Sequence, residues 1–172
     1  LTTSTICYHG VMTQTPSFAI QHVQNAADLA DVIRLFRAYA ESLPIDLAYQ
    51  GFEAEMAAMP GKYSAPKGVL LIARNGEGRA IACAALRPIE PAGTCEMKRL
   101  YVTAEGRGLG LGKRLVETLF DDARRIGYRE MRLDTLPTMT EAIALYRRFG
   151  FAPMEAYYDT PIEGTLFMRK VL

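Results

Sequence analysis

The sequence predicts an α/β fold in which a sheet of mixed strand direction is flanked by helices. Three observations carry that expectation. Apolar runs of strand length alternate with helical stripes of period 3.6 along most of the 172 residues. Two of those runs, Gly68–Arg74 and Arg79–Leu86, flank an Asn75-Gly76 pair, a strong signal for an antiparallel hairpin. A third strand, beginning at Cys95, runs through a glycine-rich turn straight into an amphipathic helix.

Taken in order, Phe18 to Val23 alternates apolar and polar residues as a half-buried first strand does. Asn25 is suited to cap a helix with Leu29, Val32, Ile33, Phe36 and Ala40 on its apolar stripe, and Leu43-Pro44 closes it. Residues 46–59 predict a second helix on Leu47, Phe52, Met56 and Met59, ended by Pro60-Gly61 and followed by a loop from Lys62 to Lys67. After the hairpin and a Pro-containing loop comes the strand Cys95–Val102. The helix beyond the glycine turn carries Leu111, Leu115, Val116, Leu119, Phe120, Ala123 and Ile126 on one face and stops at Gly127. Tyr128–Asp134 reads as a strand. Thr138 and Glu141 have capping-box spacing for a helix striped by Ala142, Leu145, Tyr146 and Phe149. Apolar segments near Phe151 and from Thr165 to Leu172 predict the last two strands. The expected domain is single and spans residues 18–172. Residues 1–17 lack either periodicity and are expected to be a ragged extension, with Met12 a candidate first residue.

Composition narrows the function. Lys+Arg and Asp+Glu number 20 and 19, and a net charge of +1 gives no electrostatic case for nucleic acid. No apolar run approaches the ~20 residues that span a bilayer, so no membrane association is expected. Cys7, Cys83 and Cys95 form no CxxC pair, which fits a reduced, cytoplasmic protein. His9 and His22 stand apart from any ligand cluster, so no metal site is expected.

The turn Arg107-Gly-Leu-Gly-Leu-Gly112-Lys113 is the chemical centre of the chain. Glycines at a helix start let the backbone approach a phosphate closely and leave several N–H groups to donate to it. Spacing decides among phosphate motifs. A Walker loop fails because Arg107 stands where a glycine is needed and Arg114 follows Lys113. A dinucleotide GxGxxG fails from Gly106, which would need glycine at Leu111, and from Gly108, which would need it at Lys113.

What matches is Arg-x-x-Gly-x-Gly, and with it the chain resembles the GNAT superfamily of acyl-CoA-dependent N-acetyltransferases. Glu96 lies on the preceding strand, and Ala142-x-x-x-Tyr146-x-x-x-Gly150-Phe151 resembles the family's second signature. The resemblance implies a GNAT-like, mostly antiparallel sheet and acetyl-CoA as cosubstrate. It implies pyrophosphate binding by Arg107, Gly108, Leu109, Gly110, Leu111, Gly112, Lys113 and Arg114. The pantetheine arm would pair with the main chain of Leu100, Tyr101 and Val102, as an extended ligand adds to a strand edge. Glu96 would be the general base and Tyr146 the acid that protonates the departing thiolate. Pairing with Lys98 or Arg79 is the other reading of Glu96. Period-two alternation groups Glu96, Lys98, Leu100 and Val102 on one face and Met97, Arg99 and Tyr101 on the other. Met139 departs from the family, which often has an asparagine there.

The implied reaction is acetyl transfer to a primary amine in a ternary complex, without a covalent intermediate. The alternative is a catalytically silent acyl-CoA-binding sensor. Tyr49, Phe52, Tyr63, Tyr157 and Tyr158 are the candidate walls of the acceptor site, and their mixture favours a small-molecule or amino-acid-like amine. Lys98 and Arg99 are expected to be solvated or paired strand charges. A homodimer is the assembly that the resemblance makes natural.

Overall fold

The computed structural model describes residues 18–172; the expected extension lies outside them. Seven strands form one open sheet in the order β1-β2-β3-β4-β5-β7-β6. They are β1 (Phe18–His22), β2 (Val69–Asn75), β3 (Ala80–Ile89), β4 (Thr94–Val102), β5 (Glu130–Thr135), β6 (Ala152–Met154) and β7 (Leu166–Val171). Every neighbouring pair is antiparallel except β4 and β5, which run parallel. The mixed, mostly antiparallel α/β architecture is the one the sequence predicts.

Helices cover both faces. Helix α1 (Ala26–Ser42) and the short α2 (Phe52–Ala57) bury Val32, Leu35, Phe36, Phe52 and Met56 against Leu70, Ile72, Cys83 and Ala85. Helix α3 (Leu111–Ile126) packs Leu111, Leu115, Val116 and Leu119 on Leu71, Ala84, Leu86 and Met97, and α4 (Thr140–Arg148) adds Tyr146. Alternate residues of β2 and β3 thus enter opposite cores. Burial on both faces explains why these strands read as unbroken apolar runs. Among the described residues, no helix is long and apolar enough to cross a membrane.

Local chemistry accounts for several departures from expectation. The helix expected over 46–59 is broken: Asp46 caps a 3-10 turn at Leu47–Gln50, and Gly51, at φ 70°, turns the chain before α2. Gly51 has no Cβ to resist that conformation. Strand β3 runs through Pro88 to Ile89, where Arg87 faces Glu96 and Pro88 faces Cys95, so the turn comes later than Leu86. The capping box at α4 does not form; Met139 occupies the cap position and no side chain caps it.

The largest correction concerns β4. Arg99 has φ 57°, the one positive value among the described non-glycine residues, and the β3–β4 register shifts between Cys83 and Ala85. Ala85 opposes Lys98 and Cys83 opposes Tyr101, so Arg99 and Leu100 share one position in a β-bulge. The extra residue resets the alternation. Leu100 and Val102 join Met97 in the α3 core, while Arg99 turns to the α1–α2 face that also carries Tyr101.

Candidate active site

The site lies where the sheet splits. Strands β4 and β5 pair only at Thr94–Glu130, Cys95–Met131 and Glu96–Arg132. Beyond that point β5 stays with β7 and β4 stays with β3. The bulge at Arg99 adds local twist just past the last pair, which helps the strands diverge. Residues Met97 to Val102 therefore present a main-chain edge with no β5 partner. Leu100, Tyr101 and Val102, the expected pantetheine contacts, are on that edge.

At the end of the edge, the chain passes a 3-10 turn (Ala104–Gly106) and enters the glycine turn. Gly108 and Gly110 take φ values of 78° and 75°, and a Cβ at either would meet nothing within 4 Å. Their role is conformational. Gly106 differs: a Cβ there would lie 2.9 Å from Val102 Cγ1 and 3.0 Å from the Ile81 carbonyl oxygen, so it is glycine for lack of space. The backbone N–H groups from Gly108 to Lys113 find no acceptor among the described residues; the first bonded amide is that of Arg114, donating to Gly110 O at 3.1 Å. No side chain caps α3 and no acid lies in its first turn. Six unpartnered donors at the positive end of a helix dipole make a site for an anion. Arg107 and Lys113 are exposed beside it; Leu111 contributes only its main chain, since its side chain is 1% exposed. Lys113 and Arg114 approach Glu117 at 3.8 and 3.9 Å, a loose pairing at the surface.

Inside the cleft, Tyr146 is buried against Phe151 and lines the wall together with Lys98, Asp134 and Gln50. Its hydroxyl has no hydrogen-bond partner among the described residues, yet no described buried polar atom is orphaned, so it opens onto the cleft. Burial, with Tyr39 and Asp134 nearby, pushes the phenol above its ordinary range. Met139, also on this wall, receives a weak bond from Thr135 Oγ1 at 3.7 Å.

Glu96 sits at the closed apex, 1% exposed. Oε2 accepts from Arg87 Nε at 2.7 Å, Oε1 accepts from the Tyr157 hydroxyl at 2.8 Å, and Lys98 Nζ is 3.9 Å away. Arg79 plays no part; it pairs with Glu77 and Glu105. Burial opposes the Arg87 charge, but Glu96 and its other neighbours outweigh it and hold the guanidinium above its ordinary value. Burial and the Glu96 carboxylate together push the Tyr157 phenol far up, so it stays a proton donor.

A wider polar network surrounds this apex. Lys98 Nζ donates to Asp134 at 3.1 Å, and Arg99 donates to both Glu55 oxygens at 3.2 and 3.1 Å. Both cations are paired and buried rather than solvated. Gln50 joins the parts: its Oε1 accepts from Lys98 and Arg99, and its Nε2 donates to Tyr49 and Tyr158. Of the expected acceptor walls, Tyr49 lines the cleft, Tyr158 accepts from the cleft-lining Gln50, Tyr157 donates to Glu96 at the apex, and Tyr63 lines a neighbouring cavity. Phe52 is core instead, beneath the Arg99 guanidinium at 5.1 Å. Sequence reasoning missed Arg87, Asp134 and Gln50. Their only sequence signal is a charged or amide group beside strongly apolar strands or helices, which many surface positions share.

Comparison with known proteins agrees with this geometry. Residues 31–151 match the model of the acetyltransferase (GNAT) family. An uncharacterised N-acetyltransferase of Schizosaccharomyces pombe is 40% identical, covering 92% of this chain and 97% of its own. A structure described as a candidate acyl-CoA N-acyltransferase from Klebsiella pneumoniae superposes with a TM-score of 0.69 at 28% identity, over 90% of this chain and 97% of its own. A Salmonella typhimurium protein, solved with its cofactor acetyl-CoA, has the same fold at 19% identity and a TM-score of 0.66, over 90% of this chain and 94% of its own.

Proposed function

This chain belongs to the acetyltransferase (GNAT) family, and from that premise we propose that it transfers an acetyl group from acetyl-CoA to the primary amine of a small-molecule or amino-acid-like acceptor, by direct attack in a ternary complex. The observation that carries the reading is the run of six amides, Gly108 to Lys113, without an acceptor among the described residues, at the end of an open strand edge. An edge that pairs with an extended arm and a turn that binds an anion together suit a ligand with an amide-bearing arm and a pyrophosphate. The Salmonella fold neighbour that holds acetyl-CoA supports that choice of donor.

Bound acetyl-CoA supplies the activated acyl group. The main chain of Leu100, Tyr101 and Val102 aligns the arm, and residues 107–114 hold the phosphates. Tyr146 donates to the departing thiolate from a hydroxyl that has no other partner among the described residues. Glu96 receives the amine proton through Tyr157: as the acceptor N–H proton passes to the phenol oxygen, the phenol proton moves to Glu96 Oε1. The new C–N bond forms as the C–S bond breaks, giving an N-acetyl amine and free thiol. Direct transfer is favoured because the described cysteines are poor nucleophiles. Both are buried, and burial pushes the Cys95 thiol up to about 12. Such unpaired thiols fit a reducing, cytoplasmic setting.

The test is thiol release from acetyl-CoA across a panel of amines, with CoA binding measured in parallel. Glu96→Gln and Tyr146→Phe are each expected to lower kcat by roughly 10²- to 10⁴-fold, the usual range for acid–base groups, while CoA still binds. Binding of CoA without turnover on any amine would leave the silent sensor as the surviving reading.

A further inference from the structure

Arg87 is only half used by Glu96. Its Nε is held at 2.7 Å by Glu96 Oε2, which fixes the plane of the guanidinium, while its two terminal nitrogens have no acceptor among the described residues. They are not sealed in, because no described buried polar atom lacks a partner and the side chain is 25% exposed. Arg87 lines a cavity of about 250 Å³ between β3, α2 and the segment Pro60–Tyr63, on the α1–α2 side of the sheet. Lys62, exposed and without an ion-pair partner among the described residues, lines the same cavity.

The charge there is uneven. Glu55 is the one acid on the cavity wall, and it is committed elsewhere: Arg99 donates to both of its oxygens, and the Tyr63 hydroxyl donates to Oε1 at 2.9 Å. Two cationic groups are left to meet whatever enters. Apart from Gln50, the remaining wall is largely apolar, with Ala58, Met59, Pro60 and the Tyr63 ring. Gln50 lines both this cavity and the thioester cleft.

We propose that this cavity binds the carboxylate of the acceptor, with the terminal nitrogens of Arg87 forming a two-point fork and Lys62 adding charge, so that the acceptor is a free amino acid rather than a simple amine. A fixed guanidinium with an open two-nitrogen edge matches a planar carboxylate, which a lysine in the same place would not do equally well. The same arginine holds Glu96, so carboxylate recognition and the proton acceptor are mounted on one rigid group. The amine of an acceptor anchored there would point past Gln50 toward the cleft. This inference rests on the acetyltransfer reading and names its acceptor class.

The experiment compares L-α-amino acids with their primary carboxamides as acceptors for acetyl-CoA, and in parallel titrates the N-acetyl products of each pair against the protein with CoA present. The wild type is expected to favour the carboxylate member by roughly 10- to 100-fold in kcat/KM and in product affinity, the range for hydrogen bonds to a charged group. Arg87→Gln is expected to bring both ratios close to one. Because each ratio is taken within one variant, loss of rate through Glu96 cancels. Lys62→Glu, an exposed change that leaves the fold intact, is expected to lower the ratios by a smaller factor. Turnover without carboxylate preference would overturn the carboxylate site and leave acetyltransfer standing. Arg87-dependent product binding without turnover would keep the site and remove the reaction. Failure of every N-acetyl amino acid to bind better than its amide would also overturn the site.

Discussion

Replacing Arg99 by methionine isolates the buried ion pair that supports this site. Arg99 is 4% exposed, and its side chain donates to both oxygens of Glu55 and to Gln50 Oε1 at 3.1 Å. Methionine keeps the stem and meets the same left-handed backbone, so the bulge itself is not what changes. In the native protein, burial tends to raise the Glu55 pKa, but the Arg99 and Tyr63 bonds outweigh it and hold the carboxyl below its ordinary 4.5. A carboxyl depressed on folding contributes stability above its unfolded value, and loses it as pH falls through the folded one. Without Arg99, the largest contributions opposing burial are gone, and the Glu55 pKa is expected to move above its ordinary value. The sign then reverses, and the variant becomes less stable as pH rises through the new value. The gap between wild type and Arg99→Met should be smallest near pH 4 and reach about 3–5 kcal/mol at pH 7, the cost of leaving one partner of a buried pair. Urea denaturation at intervals from pH 4 to 8 measures it. The double variant Arg99→Met, Glu55→Gln should recover most of the loss. A gap equal at pH 4 and pH 8, or a double variant no more stable than the single, would refute the argument and leave Arg99 as packing over Phe52.

The loop glycines should fail in different ways. Gly110→Ala adds a Cβ that meets nothing within 4 Å, so its cost is the backbone cost of φ 75°, about 1–2 kcal/mol; CoA titration should show weaker binding as the amides turn away. Gly106→Ala forces a Cβ against Val102 and the Ile81 carbonyl, and about 1–3 kcal/mol of stability should be lost by urea denaturation. Asp134 lines the cleft and holds Lys98 at 3.1 Å, which makes it the rival proton acceptor. Asp134→Asn should lower kcat less than Glu96→Gln does; the opposite order in the thiol-release assay would move the base to Asp134.

Element order and the glycine turn could be read from the chain because both are local. An amphipathic stripe needs neighbours only three or four residues away, and Gly108, Gly110 and Gly112 announce backbone freedom by their identity. Tyr146 was legible for the same reason: its helix stripe and the Gly150-Phe151 stop fix it on the face toward the sheet.

Tertiary structure decided the rest. Arg99 gives no sequence sign of a bulge, since the positive φ falls on an arginine and follows from the register with β3. That single extra residue moved Leu100, Val102 and Arg99 to faces that strict alternation denies them. The hydrogen-bond partners of Glu96 lie 9 and 61 residues away, and Lys98 reaches Asp134 across 36. Which of several charges meets a buried carboxylate depends on strand order and on where a loop returns. Neither is encoded in local periodicity. The chain by itself determined a glycine-rich turn suited to an anion at the end of a strand; folding decided which charged and hydroxyl groups stand at the apex of that strand.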